Sequence, residues 1–292
     1  MPPTSRRSQG VAILVAFLAL WSGVDRAHAA GVSIAPNRIV LEGRTFAATV
    51  YLTNRGTETT TYRIGISKLR MIQSGSIVPV SGDPLPGELF ADELIRYSPR
   101  RCVIPPGGSQ TVRLLVRRPR GSSPQAAEYR AHLSVKTTPE IPRLEELENR
   151  VEEPVASDNL SIRTIATVES LVPIIIRFGR LQATPGIENV EVVTGPEPRV
   201  DFSLTREGTR SLYGQIEFTY IDPKGDESEV GLMRGLAVYT PLETRDISYA
   251  LELPDDVRLN GGNLRIAFEE SPDGGGDQRA EITVPVGKRG TD

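Results

Sequence analysis

Residues 46–66 read FAATVYLTNRGTETTTYRIGI, and their period decides the fold class. Phe46, Ala48, Val50 and Leu52 alternate with smaller or polar residues, and Tyr62, Ile64 and Ile66 alternate with Thr61, Arg63 and Gly65. A two-residue repeat puts each set on one side of a pleated strand, so both stripes are expected to face a core. Asn54-Arg55-Gly56 between them has the composition of a turn. Working outward, Val32 to Leu41, Arg96 to Val103, Gln110 to Val116 and Glu128 to Thr137 are further strand candidates, with a sharp corner at Pro105-Pro106-Gly107-Gly108. The 292 residues include 27 Gly and 23 Pro, which interrupt long helices throughout the chain. The expected class is all-β, with two immunoglobulin-like β-sandwich domains in tandem.

Residues 1–30 read as an export signal. Arg6 and Arg7 precede an apolar run from Val11 to Trp21, and Ala27-His28-Ala29 has the small-residue spacing of a cleavage site. The run is too short for a transmembrane helix, so no stable membrane insertion is expected. Loss of Arg6, Arg7, Arg26 and Asp25 would take the net charge from −3 to −5, which argues against a nucleic-acid partner.

The inventory of reactive residues is thin. Cys102 is the single cysteine, and His132 is the single histidine after residue 30. No intramolecular disulfide, zinc site or Cys-x-x-Cys pair can be built from these, and no nucleophile elbow, metalloprotease helix or phosphate loop occurs. No catalytic residue, cofactor or metal is expected, and the chain is read as a non-enzyme.

Residues 139–157 break the rhythm of strands. Glu140, Glu145, Glu146, Glu148, Glu152 and Glu153 crowd this stretch, which reads as an exposed acidic insertion. Leu160 to Phe178 then reads as one long strand whose Leu160, Ile162, Thr164, Ala166 and Val168 share a face. That stripe is either home core or a surface offered to a partner. The N-terminal domain is expected over 31–179 and a C-terminal sandwich over 180–292, with strands at Val200 to Leu204, Gly214 to Ile221, Gly235 to Tyr239, Ile247 to Leu253 and Leu264 to Phe268.

Three stretches carry a family resemblance. Val32-Ser33-Ile34 followed by Asn37-Arg38, the turn Asn54-Arg55-Gly56, and Ser98-Pro99 with Pro106-Gly107-Gly108-Ser109-Gln110-Thr111-Val112-Arg113-Leu114 resemble the N-terminal domain of the periplasmic pilus-assembly chaperones of the chaperone-usher pathway. Glu128-Tyr129-Arg130 is similar to the strand that follows in that family, and the resemblance spans residues 31–178. It implies a periplasmic chaperone that binds and stabilises fimbrial subunits by donor-strand complementation and delivers them for surface assembly. The implied partners are an incomplete Ig-like pilus subunit and an outer-membrane usher.

The resemblance also implies roles for particular residues. Arg38 is implied to lie in the cleft between domains and to hold the subunit's C-terminal carboxylate, for which a guanidinium fork is suited. Leu160, Ile162, Thr164, Ala166 and Val168 correspond to the subunit-binding strand. Arg177 and Glu128 are taken as structural residues of the interdomain region, with Arg113 and Glu128 expected to pair between strands. Glu269, Glu270 and Asp273 are the candidates for an acidic partner from the second domain. Pro173 stands where the family has a second cleft base, a lysine, and proline there points to a strand lacking a partner on one side. The alternative reading is a non-chaperone Ig-like structural or adhesion protein of the cell envelope.

Overall fold

The computed structural model describes residues 31–117, 126–138 and 167–287. The expected signal (1–30), the acidic insertion (139–157) and Leu160, Ile162, Thr164 and Ala166 lie outside the described residues. Within them the regular structure is strand, apart from a 3-10 turn at Pro272–Gly274.

The first sandwich has two sheets. One runs in the order β1 (Val32–Ala35), β3 (Ala47–Asn54), β9 (Ser109–Val116), β7 (Ile95–Ser98). The other runs β2 (Ile39–Leu41), β11 (Glu169–Phe178), β10 (Ala127–Thr138), β4 (Thr60–Ser67), β8 (Arg101–Ile104). Val50, Leu52, Val112 and Leu114 of the first sheet bury against a core that includes Ile64, Leu133, Val135, Ile174 and Ile176 of the second. Phe46 and Ala48 pack on its margin, so the stripe predicted from 46–52 does face the core. Each such aliphatic side chain removed from water contributes about 1.5–3 kcal/mol.

Two stretches expected as single strands are each divided between sheets. Val32 to Leu41 breaks at Pro36, with β1 antiparallel to β3 and β2 parallel to β11. Arg96 to Val103 breaks at Pro99, with β7 on β9 and β8 on β4. A proline has no N–H to give to a ladder, and at the rim of a sandwich it marks the place where the chain crosses to the facing sheet. The turn after β3 is held by Asn54, whose fully buried carboxamide donates to the carbonyls of Glu58 (2.7 Å) and Ile104 (2.9 Å) and accepts from Gly56 N–H (2.9 Å).

The second sandwich packs sheet β12 (Ala183–Val193), β13 (Arg199–Gly208), β16 (Thr244–Ala250) on sheet β15 (Glu227–Val238), β14 (Leu212–Ile221), β17 (Asn263–Glu270), β18 (Arg279–Pro285). Three and four strands match the count of a constant-type immunoglobulin sandwich. β12 and β18, absent from the strands expected from the sequence, are both edges. β12 carries Pro185 and a register shift between Glu188 and Glu191, irregularities that an edge tolerates and that hide its period.

No sheet mixes described strands from the two sides of residues 179–182. Gly179 turns the chain between them at φ +73°, and a Cβ there would lie 2.8 Å from that of Ala126. The sandwiches meet through a small apolar cluster in which Met71 and Ile175 of the first bury against Ala237 and Tyr239 of the second. A hairpin of β5 (Leu69–Met71) and β6 (Ile77–Pro79) adds a second contact, where Asp246 N–H donates to Gln73 O at 2.9 Å.

Candidate functional site

Along β10, Ala131, Leu133 and Val135 point into the first core, so the pleat sends Glu128, Arg130, His132 and Ser134 to the opposite face. On β11 the corresponding inward residues are Val172, Ile174, Ile176 and Phe178, leaving Pro173, Ile175 and Arg177 outward. The second sandwich covers part of this outward face, and charged side chains that alternation alone would place in water are buried instead.

Two rows of side chains form the site. Arg130 pairs with Ile175, which pairs with Val40. One row on, His132 pairs with Pro173, and Arg38 stands abreast of Pro173 because its successor Ile39 pairs with Ile174. Arg38 is 6% exposed and Arg130 2%. Arg38 Nη1 donates to the Tyr239 hydroxyl at 3.0 Å, and its guanidinium lies 4.0 Å from the centre of the Tyr213 ring. Arg130 Nη2 donates to Thr240 O at 2.5 Å, with its guanidinium 5.0 Å from the Tyr239 ring centre. Both tyrosines and Thr240 belong to the second sandwich.

Electrostatically the pocket holds two buried guanidinium groups, with the Glu128 and Glu88 carboxylates acting on Arg130 from beside it. Burial pushes the Arg130 guanidinium below the usual arginine range, though an arginine remains charged at any physiological pH. Burial, reinforced by the Arg130 and Arg38 charges, holds the His132 imidazole down at about 4, so it is neutral near pH 7. Such a desolvated cationic niche is suited to receiving an anion.

Beside it lies a polar network. Arg177 Nε donates to Glu128 Oε2 at 2.9 Å, and its Nη1 to Glu42 at 3.3 Å. Glu128 in turn accepts from Ser211 N–H at 3.1 Å and from the Ser211 hydroxyl. Glu128 therefore pairs with Arg177, its register partner, and the expected Arg113–Glu128 pair does not form. Arg113 sits on β9 in the facing sheet, opposite Thr49 and Ser98, with its side chain in water. Arg177 pairs with neither Glu269 nor Glu270: Glu270 binds Arg210 and Glu269 binds Arg279, both within the second sandwich.

The described part of the long strand begins at Thr167, with β11 proper starting at Glu169. β2 pairs with Ile174, Ile175 and Ile176, so among the described residues Glu169 to Pro173 have strand partners only on the β10 side. Along the even positions exposure falls from 41% at Val168 to 4% at Val172 and 0% at Ile174, so the home core takes this stripe from Val172 onward and leaves Val168 outside. Val168 is tied to β10 by Thr137 N–H, which donates to Val168 O at 2.9 Å.

Sequence reasoning placed Arg38 in this region but passed over Arg130 and His132. The available signal was parity: Glu128, Arg130 and His132 are three alternate polar residues on a strand whose other face carries Ala131, Leu133 and Val135.

No protein-family model and no curated protein matches the chain. Solved fimbrial chaperones are similar to it over most of its length. A Pseudomonas aeruginosa chaperone, CupB2, is 12% identical with a TM-score of 0.42, covering 88% of this chain and 100% of its own. The E. coli chaperone DraB is 12% identical with a TM-score of 0.42, covering 87% and 96%. The chaperone–tip subunit complex of the archaic chaperone-usher Csu pili of Acinetobacter baumannii matches at 14% identity and a TM-score of 0.43, covering 89% and 100%.

Proposed function

We propose that the chain is a periplasmic chaperone of pilus assembly. It takes up an incomplete Ig-like subunit by lending it a strand from residues 160–173, holds the subunit's C-terminal carboxylate at Arg38, and passes the subunit to an outer-membrane usher. Two domains meeting near residue 180 form the cleft in which the carboxylate is held, with Arg177 and Glu128 setting their orientation.

One observation carries this reading: among the described residues, Glu169 to Pro173 have no strand partner on the β2 side, and this edge ends abreast of the buried Arg38, which forms no ion pair with a described carboxylate. A free strand edge offers a ladder of backbone donors and acceptors to an added strand, and alternating apolar side chains set its register. A cation at the end of that edge fixes where an added strand terminates. The Val168 side chain lies outside the home core, and its exposure supports the reading that it continues that core into a partner's groove.

The test is a dilution experiment. A pilus subunit lacking its last strand, unfolded in urea, is diluted into buffer with or without the full chain. The expected result is an equimolar complex on size exclusion, with aggregation in its absence. Aggregation at the same rate in both arms would overturn the proposal.

A further inference from the structure

One row of the first sandwich repeats a positive charge across three neighbouring strands. Lys136 of β10 pairs with Arg63 of β4, and Arg63 pairs with Arg101 of β8. Their chain neighbours Val135, Tyr62, Ile64 and Cys102 belong to the core, so all three cations point outward, and all three are exposed. Two strand spacings separate Lys136 from Arg101, about 10 Å along the row. The rows on either side hold no charge: Thr138, Thr61 and Val103 form one, and Leu171, Ser134 and Gly65 the other. Among the described residues, the carboxylate in the charged row is that of Glu169, whose Oε2 lies 3.2 Å from Lys136 Nζ. The side chains of Arg63 and Arg101 have no ion pair, hydrogen bond or ring contact among the described residues.

Like charges directly opposite one another on adjacent strands destabilise a sheet. Three abreast are expected where an anionic group lies across them. The chain carries such a group beside the row. β10 ends at Thr138, two residues past Lys136, and the described chain resumes at Thr167, two residues before Glu169, so the intervening segment is tethered at both ends to this row. Its residues 139–157 hold Glu140, Glu145, Glu146, Glu148, Glu152 and Glu153 against Arg143 and Arg150. A short tether of this kind gives the glutamates an effective concentration in the millimolar range at the row, which a free anionic partner has to exceed.

We propose that residues 139–157 dock through their glutamates on the row of Lys136, Arg63 and Arg101. β4 and β8 lie on the far side of β10 from β11, so this course carries the acidic stretch away from the edge of Glu169 to Pro173. The docked segment keeps that edge clear for an incoming strand. This role rests on the proposed function, whereas the contact itself does not.

The test is zero-length carbodiimide cross-linking of the full chain, read by mass spectrometry, with an amine placed in the row by Arg63→Lys or Arg101→Lys. Both substitutions keep the charge on an exposed face, and coupling of Lys136 to Glu169 is the internal control. Each introduced amine should couple to glutamates of 139–157 within a single chain. Adding Arg101→Glu to Arg63→Lys should lower that yield at least fivefold, and raising the salt to roughly 0.5 M should lower it as well, because exposed charges are screened. Absence of the cross-link while the control forms, a cross-link between two chains only, or a yield indifferent to Arg101→Glu and to salt overturns the docking. Replacing the six glutamates by Gln should slow capture of a strand-lacking subunit at least threefold, and an unchanged rate overturns the edge-clearing role. Subunit capture without the cross-link defeats this inference alone, whereas the cross-link without subunit capture by the unaltered chain defeats the chaperone reading and, with it, the edge-clearing role, leaving the contact standing.

Discussion

Glu128 of the first sandwich accepts both the backbone N–H of Ser211, at 3.1 Å, and the Ser211 hydroxyl from the second, while its other face holds Arg177 Nε at 2.9 Å. One carboxylate thus neutralises a buried cation and spans the junction. Glu128→Ala should destabilise the protein by about 3–5 kcal/mol, the range for removing one partner of a buried pair, because Arg177 would keep only the half-exposed Glu42. Urea denaturation of the two proteins checks this, and a loss under 1 kcal/mol would show that water replaces the carboxylate.

Stability should fall on acidification through the histidine range. His132 is held at about 4 in the folded chain, against 6.5 for an ordinary imidazole. Between these values the unfolded chain binds a proton that the folded chain refuses, so unfolding takes up protons and stability rises with pH. The contribution is complete above about pH 6.5 and is lost as the pH falls to about 4, amounting to ~3 kcal/mol. His132→Gln should flatten this part of the curve of stability against pH. A slope identical to wild type in that window would place the titration elsewhere.

The hairpin contact depends on Gly75. Its φ is +83°, and a Cβ there would come within 2.2 Å of the Arg245 side chain. Gly75→Ala should detach the hairpin tip from β16 while leaving both cores intact. The amide of Asp246, which donates to Gln73 O, is the reporter: its hydrogen exchange should accelerate at least tenfold, with little change at Val50 or Phe218.

Val168→Asp separates binding from folding. At 41% exposure the new carboxylate remains in water, so the midpoint of thermal unfolding should stay within the effect of about 0.5 kcal/mol expected of a surface change. Burial of that charge in a partner's groove would be strongly unfavourable, and subunit capture should drop at least tenfold. Capture at wild-type strength would show that the donated stripe ends before Val168.

The strands around the Asn54 turn were legible because their signal is local. The alternation of Phe46 to Leu52 and of Tyr62 to Ile66 needs only neighbouring residues to be read, and Asn54 forms its turn through bonds to Gly56 and Glu58 close by in the chain. The edge strands β12 and β18 were less legible: β12 is interrupted by Pro185 and a bulge, and β18 alternates exposed with partly exposed residues rather than with a buried stripe.

By itself the sequence determined the all-β class and the inward stripes, since these follow from side-chain period and from the turn residues that interrupt helices. Register and cover were decided only by the tertiary structure. Glu128 opposes Arg177 rather than Arg113 because β10 lies beside β11 while β9 belongs to the facing sheet, a choice made by pairing between distant segments. Alternation likewise assigns Arg130 and His132 to the outward face of β10, and on a lone sandwich that face is wet. They are buried because Tyr213, Tyr239 and Thr240, distant in the chain, are brought over them by the second sandwich, and no local pattern encodes what will cover a face.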